Sequence, residues 1–194
     1  MSSLQALVER PFELLVELER RARAAVAARE GAPAAADEWV GIGFRLGAER
    51  FVAARGDVRE VLPVPDQVTR VPGAKPWLRG IANLRGQLLT VVDLKSFLGA
   101  GSAAAERQAR VLVVASRDVP TGLIVDEVLG FRRFGANEFR DETPAGVIRC
   151  EHYLEGCYRR GSEVWPRFSL FKLLGDEQFL MAGETPKART AEAG

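Results

Sequence analysis

The residue types that could support covalent catalysis meet at one place in this 194-residue chain, the sequence Cys150-Glu151-His152. A thiol near an imidazole could act as an activated nucleophile, with the imidazole as its base. Residues two apart on a strand share a face, but no oxyanion donor and no third, orienting group accompanies this pair. We therefore interpret His152 as a histidine with satisfied hydrogen bonds, at the surface or in the core, and predict no catalytic residue.

Metal and cofactor sites find no support in the sequence either. His152 is the sole histidine, which excludes a metal site with two histidine ligands. Cys150 and Cys157 do not form a C-x-x-C motif, so we expect two reduced structural thiols, with an intramolecular disulfide as the alternative. The acidic pairs Asp126-Glu127 and Asp141-Glu142 lack the ligand spacing of a calcium loop, and we predict that both are solvated turns. None of the 19 glycines completes a phosphate-binding motif. We predict no metal and no cofactor.

Two basic pairs lie beside aromatic residues: Arg132-Arg133 between Phe131 and Phe134, and Arg159-Arg160 after Tyr158. This mixture could bind single-stranded nucleic acid, with the rings stacking on bases and the guanidinium groups contacting phosphates. The formal net charge is only +1 and the aromatic content is 8%, and aromatic residues at strand spacing usually lie in the core. A β-barrel that binds single-stranded nucleic acid therefore stays as the alternative hypothesis.

The most informative segment runs from Trp77 to Gly99. It joins two strand-like apolar runs through the turn Asn83-Leu84-Arg85-Gly86 and then closes on a short helix over 94–98. The glycine of this turn gives the backbone freedom that a tight turn needs, so Arg85 can be held outward on a rigid scaffold. A guanidinium group has five donors and a flat stacking face, which favours recognition. We predict a protein-docking surface at this turn.

Short strand patterns separated by turn residues run through most of the chain, which is typical of a β-barrel or a β-sandwich and not of a parallel α/β fold. Asp93 is predicted to cap the helix over 94–98 by accepting hydrogen bonds from its first free amides. The predicted strands are Trp39–Leu46, Arg50–Ala54, Val58–Leu62, Leu78–Leu84, Gln87–Val92, Ala109–Ala115, Thr121–Val125, Val128–Phe134, Cys157–Tyr158 and Val164–Ser169.

The chain divides into three parts by composition. Residues 1–36 contain a predicted helix, Pro11–Arg29, followed by a linker rich in alanine. The helix has a modest apolar face, which either packs against the domain or a partner or belongs to a solvated leader. Residues 37–182 form the predicted β domain, and 183–194 a polar tail that we expect to be disordered. No run approaches the roughly 20 apolar residues that span a bilayer, and charged residues occupy the place of a signal peptide's apolar stretch. We expect a cytoplasmic protein.

A weak internal repeat indicates that the β domain has two related subdomains, roughly 37–100 with late strands exchanged, and 109–175. Shared strand-turn-helix patterning is the alternative explanation. Five positions recur in the same spacing: Leu78, Gly80, Leu94, Leu98 and Gly99 match Leu154, Gly156, Leu170, Leu174 and Gly175.

The NLRG turn and the VVDL sequence that follows it resemble the CheW-like adaptor family, whose members couple chemoreceptors to a histidine autokinase. The likeness extends from about Trp39 to about Gly175. The sequences PFELLVELERRARAA and WPRFSLFKLLGDEQFL resemble the pilus-chemotaxis branch of that family. The resemblance implies a mainly β fold with two SH3-like five-stranded barrels, short helices and an N-terminal helix. It also implies an adaptor on which no reaction occurs.

The resemblance also implies partners and a site. Its partners would be the cytoplasmic tip of a methyl-accepting chemoreceptor, in a groove between the barrels, and the regulatory domain of a CheA-type histidine kinase, on an apolar barrel face. No nucleic acid and no direct membrane insertion are implied. By position, Asp93 matches the family's VDL closure. The residues that match the receptor-binding turn and the strand beside it are Val58, Glu60, Asn83, Leu84, Arg85 and Gly86.

The expected function is therefore coupling in a chemosensory array that controls twitching motility by type IV pili. A flagellar-type chemotaxis coupling protein is the alternative within the same family. In either case the protein would be cytoplasmic and associated with membrane-bound receptor arrays.

Overall fold

A computed structural model describes residues 38–103, 107–116 and 120–182 of the chain. The predicted helix Pro11–Arg29, the linker after it and the predicted tail 183–194 lie outside these ranges. The described residues form eleven strands: β1 Glu38–Leu46, β2 Glu49–Ala54, β3 Val58–Pro63, β4 Leu78–Leu84, β5 Gln87–Asp93, β6 Arg110–Val114, β7 Thr121–Val125, β8 Glu127–Gly135, β9 Phe139–Arg140, β10 Leu154–Arg160 and β11 Glu163–Phe168.

Within the described residues helices are few and short, and the predicted mainly β fold is confirmed. They are α1 Leu94–Phe97, α2 Leu170–Leu174 and α3 Glu177–Leu180, with single 3-10 turns at Arg55–Asp57, Ala136–Glu138 and Glu151–Tyr153. All ten predicted strands are found, with ends that differ by a few residues. The two-residue β9 was not predicted, and β10 is longer than predicted because a bulge between Leu154 and Cys157 interrupts its alternation.

The strands form two sheets. One has five strands in the order β3-β6-β7-β5-β4, and the other has six, β8-β1-β2-β11-β10-β9. Each sheet takes strands from both of the predicted subdomains: the first two strands of the chain belong with the last four, and β6 and β7 join β3, β4 and β5. Some exchange of late strands is part of the prediction for 37–100, and hydrogen bonding here groups strands that are far apart in sequence.

The two sheets share one arrangement. The antiparallel hairpin β4–β5 corresponds to β10–β11, and the parallel pair β5–β7 corresponds to β11–β2. The correspondence reaches single hydrogen bonds: the amide of Asp93 donates to the Trp77 carbonyl at 2.9 Å, and the amide of Ser169 donates to the Tyr153 carbonyl at 2.8 Å. The repeat in the sequence therefore marks equivalent hairpins, each followed by a short helix.

Each of these helices begins at a polar capping residue. The Asp93 carboxylate accepts a hydrogen bond from the Ser96 amide at 3.1 Å, and Ser169 caps α2 in the same way. Asp93 is itself buried and also accepts from the Ala103 amide at 3.1 Å. It therefore ties the loop after α1 to the end of β5.

The hydrophobic core of the described residues has three parts. The largest lies between the sheets and includes Phe44, Phe51, Leu94, Phe168 and Leu170, all of them fully buried. A second, aliphatic cluster belongs to the five-stranded sheet, and a third, rich in aromatic rings, to the six-stranded sheet. Each sheet thus has an interior of its own as well as the shared one.

The five-stranded sheet is closed by a backbone bridge. Thr69, in the loop after β3, exchanges two hydrogen bonds with Ile81 of β4, at 2.9 and 2.8 Å. The chain can approach so closely because residue 80 is a glycine with φ of +136°. A Cβ atom at this position would lie 2.1 Å from the carbonyl oxygen of Thr69.

Asp126 contradicts the prediction that the Asp126-Glu127 pair is a solvated turn. Its side chain is 0% exposed and lies at the junction of β7 and β8. Its Oδ2 accepts hydrogen bonds from the Gly47 amide and from Lys95 Nζ, the latter at 3.1 Å, and lies 3.7 Å from Arg45 Nη1. The carboxylate therefore joins the β1–β2 turn and α1 to the β7–β8 junction, where the chain passes from one sheet to the other.

Candidate protein-docking site

The β4–β5 hairpin turns through two residues, Arg85 and Gly86, between the paired Leu84 and Gln87. Their φ angles are +51° and +82°, as a two-residue hairpin with a type I′ turn requires. The Asn83 side chain accepts a hydrogen bond from the Gly86 amide at 3.0 Å. The sequence predicted this tight turn, and its glycine serves as expected.

Arg85 is the one non-glycine residue with positive φ within the described ranges. Left-handed backbone costs a residue with a Cβ roughly 1–2 kcal/mol, and a glycine could occupy the position without that cost. The side chain is 82% exposed, so packing does not compensate for the strain. Such strain is often found where a protein holds a functional group in a fixed position.

Arg85 Nη1 lies 3.4 Å from Glu60 Oε2. An exposed ion pair of this kind contributes little stability, with a median of about 0–1 kcal/mol, but it restricts the direction of the guanidinium group. β3 and β4 stand at opposite ends of the sheet order. The contact therefore shows that the five-stranded sheet curls until its two edges approach each other.

The other predicted site residues divide into surface and interior. Asn83 and Gly86 are exposed, and Leu84 is half-buried against the aliphatic cluster of the five-stranded sheet. Val58 is only 8% exposed and packs into the core between the sheets. Its side chain thus supports the surface from below and presents very little area to a partner.

A groove of about 330 Å³ lies where β3 meets β1 and β8, and we name it the sheet-junction groove. Phe131 forms part of its wall with 63% of its surface exposed, and the Arg55 guanidinium carbon lies 6.0 Å from the centre of its ring. Glu60, the partner of Arg85, also lines it. The lining residues are Ile42, Arg55, Gly56, Val58, Arg59, Glu60, Val61, Ala115 and Phe131.

Sequence reasoning missed Phe131 and Arg55 as members of this groove. Strand spacing predicts core positions for Phe131, Phe134 and Tyr158 alike, and Phe131 is the exception. The pattern offers one signal that could have found it: Phe131 and Phe134 are three residues apart on one strand, so alternation places their side chains on opposite faces.

A second apolar feature lies on the outer face of the β4–β5 hairpin. Leu88 is 67% exposed and is paired with Asn83, so its side chain lies on the same face as that of Asn83. Ile81, two residues before Asn83, shares this face and is also exposed. We name Ile81 and Leu88 the hairpin face. Exposed apolar side chains next to an outward arginine are typical of binding surfaces.

The Cys150-Glu151-His152 sequence does not form a nucleophilic site. The Cys150 thiol is buried, and burial, with the charges of Glu151 and Glu49, raises its pKa to about 12. The thiolate required for attack is therefore disfavoured at neutral pH. No group of three metal-ligating side chains occurs among the described residues.

The aromatic residues of the nucleic-acid hypothesis are mostly interior. Phe134 and Tyr158 are buried, and their rings stack with centroids 4.4 Å apart. The Arg160 side chain covers Phe134 at 5.2 Å and pairs with Glu138, and Arg159 pairs with Glu142. Arg160 packs over the interior aromatic cluster, and both arginines are paired with glutamates. They therefore do not form a surface on which bases could stack and phosphates could bind.

Three comparisons with known proteins agree with one another. The family model for the CheW-like domain matches residues 40–178. Protein PilI of Pseudomonas aeruginosa is 40% identical over 173 residues, which cover 89% of this chain and 96% of that protein. Chemotaxis protein CheW of Klebsiella aerogenes is 25% identical over 145 residues, 75% of this chain and 87% of that protein.

A solved structure is also similar. The scaffolding protein TtCheW from Thermoanaerobacter tengcongensis matches with a TM-score of 0.60 and 28% sequence identity. The match covers 70% of this chain and 92% of that chain. Within the residues that the structure describes here, no helix is long and apolar enough to cross a membrane.

Proposed function

The chain belongs to the CheW-like family, and from this membership we propose that it is a non-enzymatic adaptor that couples a methyl-accepting chemoreceptor to a CheA-type histidine autokinase. The observation that carries the proposal is Arg85, held outward in a strained conformation and paired with Glu60 on the wall of an open groove. Arginine at the centre of a binding surface is a frequent energetic anchor.

The receptor tip binds at the sheet-junction groove and the Arg85 turn. The groove offers an exposed aromatic ring at Phe131, and Arg85 and Glu60 supply charges of both signs at its side. A helical receptor tip that presents apolar and charged side chains together would fit such a surface. Val58 stabilises the groove from the core.

The kinase regulatory domain binds at the hairpin face. Ile81 and Leu88 lie on the outside of the β4–β5 hairpin, away from the interior of the five-stranded sheet. Because the receptor site and the hairpin face share the Arg85 turn, one rigid hairpin holds both partners at a fixed separation. The adaptor then acts by raising effective concentration and by fixing geometry, so that receptor conformation can bias kinase activity.

The pilus-type array is favoured over the flagellar type. The identity to PilI, 40% over 89% of the chain, exceeds the 25% over 75% found for the Klebsiella CheW. The adaptor works at membrane-bound receptor arrays through its protein partners and controls twitching motility.

The first test replaces Arg85. Arg85→Gly is expected to lower the affinity for the receptor tip by about tenfold or more, as for an interface anchor worth at least 1.4 kcal/mol. Its thermal midpoint should be unchanged or higher, because glycine accepts the left-handed backbone without strain. Isothermal calorimetry and thermal denaturation of the same protein samples measure both quantities.

Two further variants control this test. Arg85→Glu adds repulsion from Glu60 and should bind at least as weakly as Arg85→Gly. Arg149→Glu reverses an exposed charge that lines a different pocket and should bind like the wild type. Receptor affinity that survives in Arg85→Gly would overturn the assignment of Arg85. Titration of pilus-type and flagellar-type partners side by side identifies the branch.

A second test addresses the kinase surface. Leu88→Asp is expected to weaken binding of the kinase regulatory domain by about tenfold or more, because it removes an exposed apolar contact and buries a charge in the interface. Receptor binding should change little. Leu180→Asp, on α3, is the matched control because Leu180 is similarly exposed, at 55%. Equal losses in the two variants would contradict the assignment.

A further inference from the structure

One stretch of the chain carries positive charge without any negative charge. Residues 67–92 contain Arg70, Lys75, Arg79 and Arg85 and no aspartate or glutamate. The corresponding stretch of the other sheet, 143–168, contains three glutamates among its basic residues. The two halves of the fold therefore differ in charge where they agree in backbone arrangement.

Three of these cations line a single groove of about 340 Å³, which we name the basic groove. No described carboxylate lies within ion-pair distance of Arg70, Lys75 or Arg79, and no acidic residue is part of the lining. The four remaining lining residues are apolar: Val71, Ala74, Pro76 and Leu78.

The walls of the basic groove are fixed before any partner arrives. The Ala74 amide donates to the Val71 carbonyl at 3.3 Å across a turn in which Gly73 has a φ of +68°. The Lys75 amide donates to the Ala182 carbonyl at 2.8 Å, and the Thr69–Ile81 bridge holds the other end of the loop. A preorganised site of this kind avoids the entropy cost of ordering a loop on binding.

We propose that the basic groove binds an acidic peptide segment of a protein partner, with carboxylates on the three cations and apolar side chains on the floor between them. Nucleic acid fits less well, because none of the lining residues is aromatic, and Trp77, which follows Pro76 in the chain, is buried and stacks on Phe179. A lipid surface typically requires about four to eight clustered cations. The proposal rests on the charges of this chain and not on the identity of its receptor or kinase.

The experiment uses the full chain and a labelled synthetic peptide in which glutamates alternate with leucine and valine. Fluorescence anisotropy measures its binding to the wild type and to two double charge reversals. Arg70→Glu/Arg79→Glu changes the basic groove, and Arg107→Glu/Arg149→Glu makes the same change in net charge at exposed residues outside its lining. We expect roughly tenfold weaker binding for the groove variant alone, and weaker wild-type binding at higher salt.

Several outcomes would overturn the proposal. These are no binding to the wild type, equal losses in the two variants, or equal binding of the peptide with glutamine in place of glutamate. Tighter binding of phosphatidylserine vesicles or of single-stranded DNA than of the peptide, again lost in the groove variant, would assign the groove to a different anion. Because the probe contains neither receptor nor kinase, failure here leaves the Arg85 and Leu88 tests unaffected.

Discussion

Asp126→Ala is expected to lower the free energy of unfolding by about 3–5 kcal/mol, the cost of removing one partner from a buried ion pair. The substitution leaves Lys95, which is largely buried, without its acceptor at 3.1 Å. It also removes the acceptor of the Gly47 amide and the charge that lies near Arg45. Unpaired buried donors and cations are costly because water cannot replace the lost partner.

Urea denaturation measures this change, and two variants separate its causes. Asp126→Asn keeps an oxygen acceptor but loses the charge, so its effect should be intermediate. Glu127→Ala removes the neighbouring carboxylate, which also pairs with Arg45, at 3.1 Å, but is partly solvated. Its cost should stay below about 1 kcal/mol. Equal destabilisation by Asp126→Ala and Glu127→Ala would mean that burial does not strengthen the contacts of Asp126.

Gly80→Ala is expected to cost about 3 kcal/mol or more, from overpacking together with backbone strain. The new Cβ atom would lie 2.1 Å from the Thr69 carbonyl oxygen, and backbone cannot yield as a side chain can. The bridge between Thr69 and Ile81 should therefore open. Denaturation measures the cost, and amide hydrogen exchange at Thr69 and Ile81 should become faster.

Gly86→Ala is the matched control for this prediction. Gly86 also has positive φ, but no atom lies within 4 Å of a Cβ placed there. Its cost should be only the left-handed strain of roughly 1–2 kcal/mol. Equal destabilisation by the two substitutions would mean that φ alone, and not the close approach at Thr69, makes Gly80 necessary.

Local patterns were sufficient to predict most of the strands. Alternation and turn residues identified ten of them, and the glycine after Arg85 predicted the tight turn. The capping position of Asp93 could also be read from the sequence, because an aspartate directly before a short apolar helix interacts with amides close to it in the chain. These features depend on neighbours a few residues away.

Features that depend on distant partners could not be predicted. Asp126 looks like half of a solvated acidic pair, and only the approach of Lys95 and the β1–β2 turn makes it an interior residue. Val58 matches a binding position in the resemblance, yet the second sheet covers it. Which strands share a sheet is likewise decided by tertiary packing: the sequence indicated an exchange of late strands but not which strands take part.

The basic groove could not be predicted from the sequence for the same reason. Its cations are visible in the sequence, but the Thr69–Ile81 bridge and the Lys75–Ala182 hydrogen bond bring them to one groove. Phe131 and Glu60 likewise line one groove only because the edge strands β8 and β3 of the two sheets lie side by side. The candidate binding surfaces could therefore be identified only from the fold, whereas the Arg85 turn could be predicted from the sequence.

The sharing of strands between the two ends of the chain has a consequence during synthesis. β2 is bound on one side by β11, with Val52 beside Arg167, so the ribosome must complete almost the whole domain before the six-stranded sheet can form. Until then the β1–β2 hairpin exposes Phe44 and Phe51, which are buried in the finished fold. The strands of the five-stranded sheet all lie between residues 58 and 125, so this sheet can form earlier. The two rings can then pack against it before β11 is made. The nascent chain thus depends on a partial fold, or on a chaperone, to protect its first hairpin from aggregation until its last strand emerges.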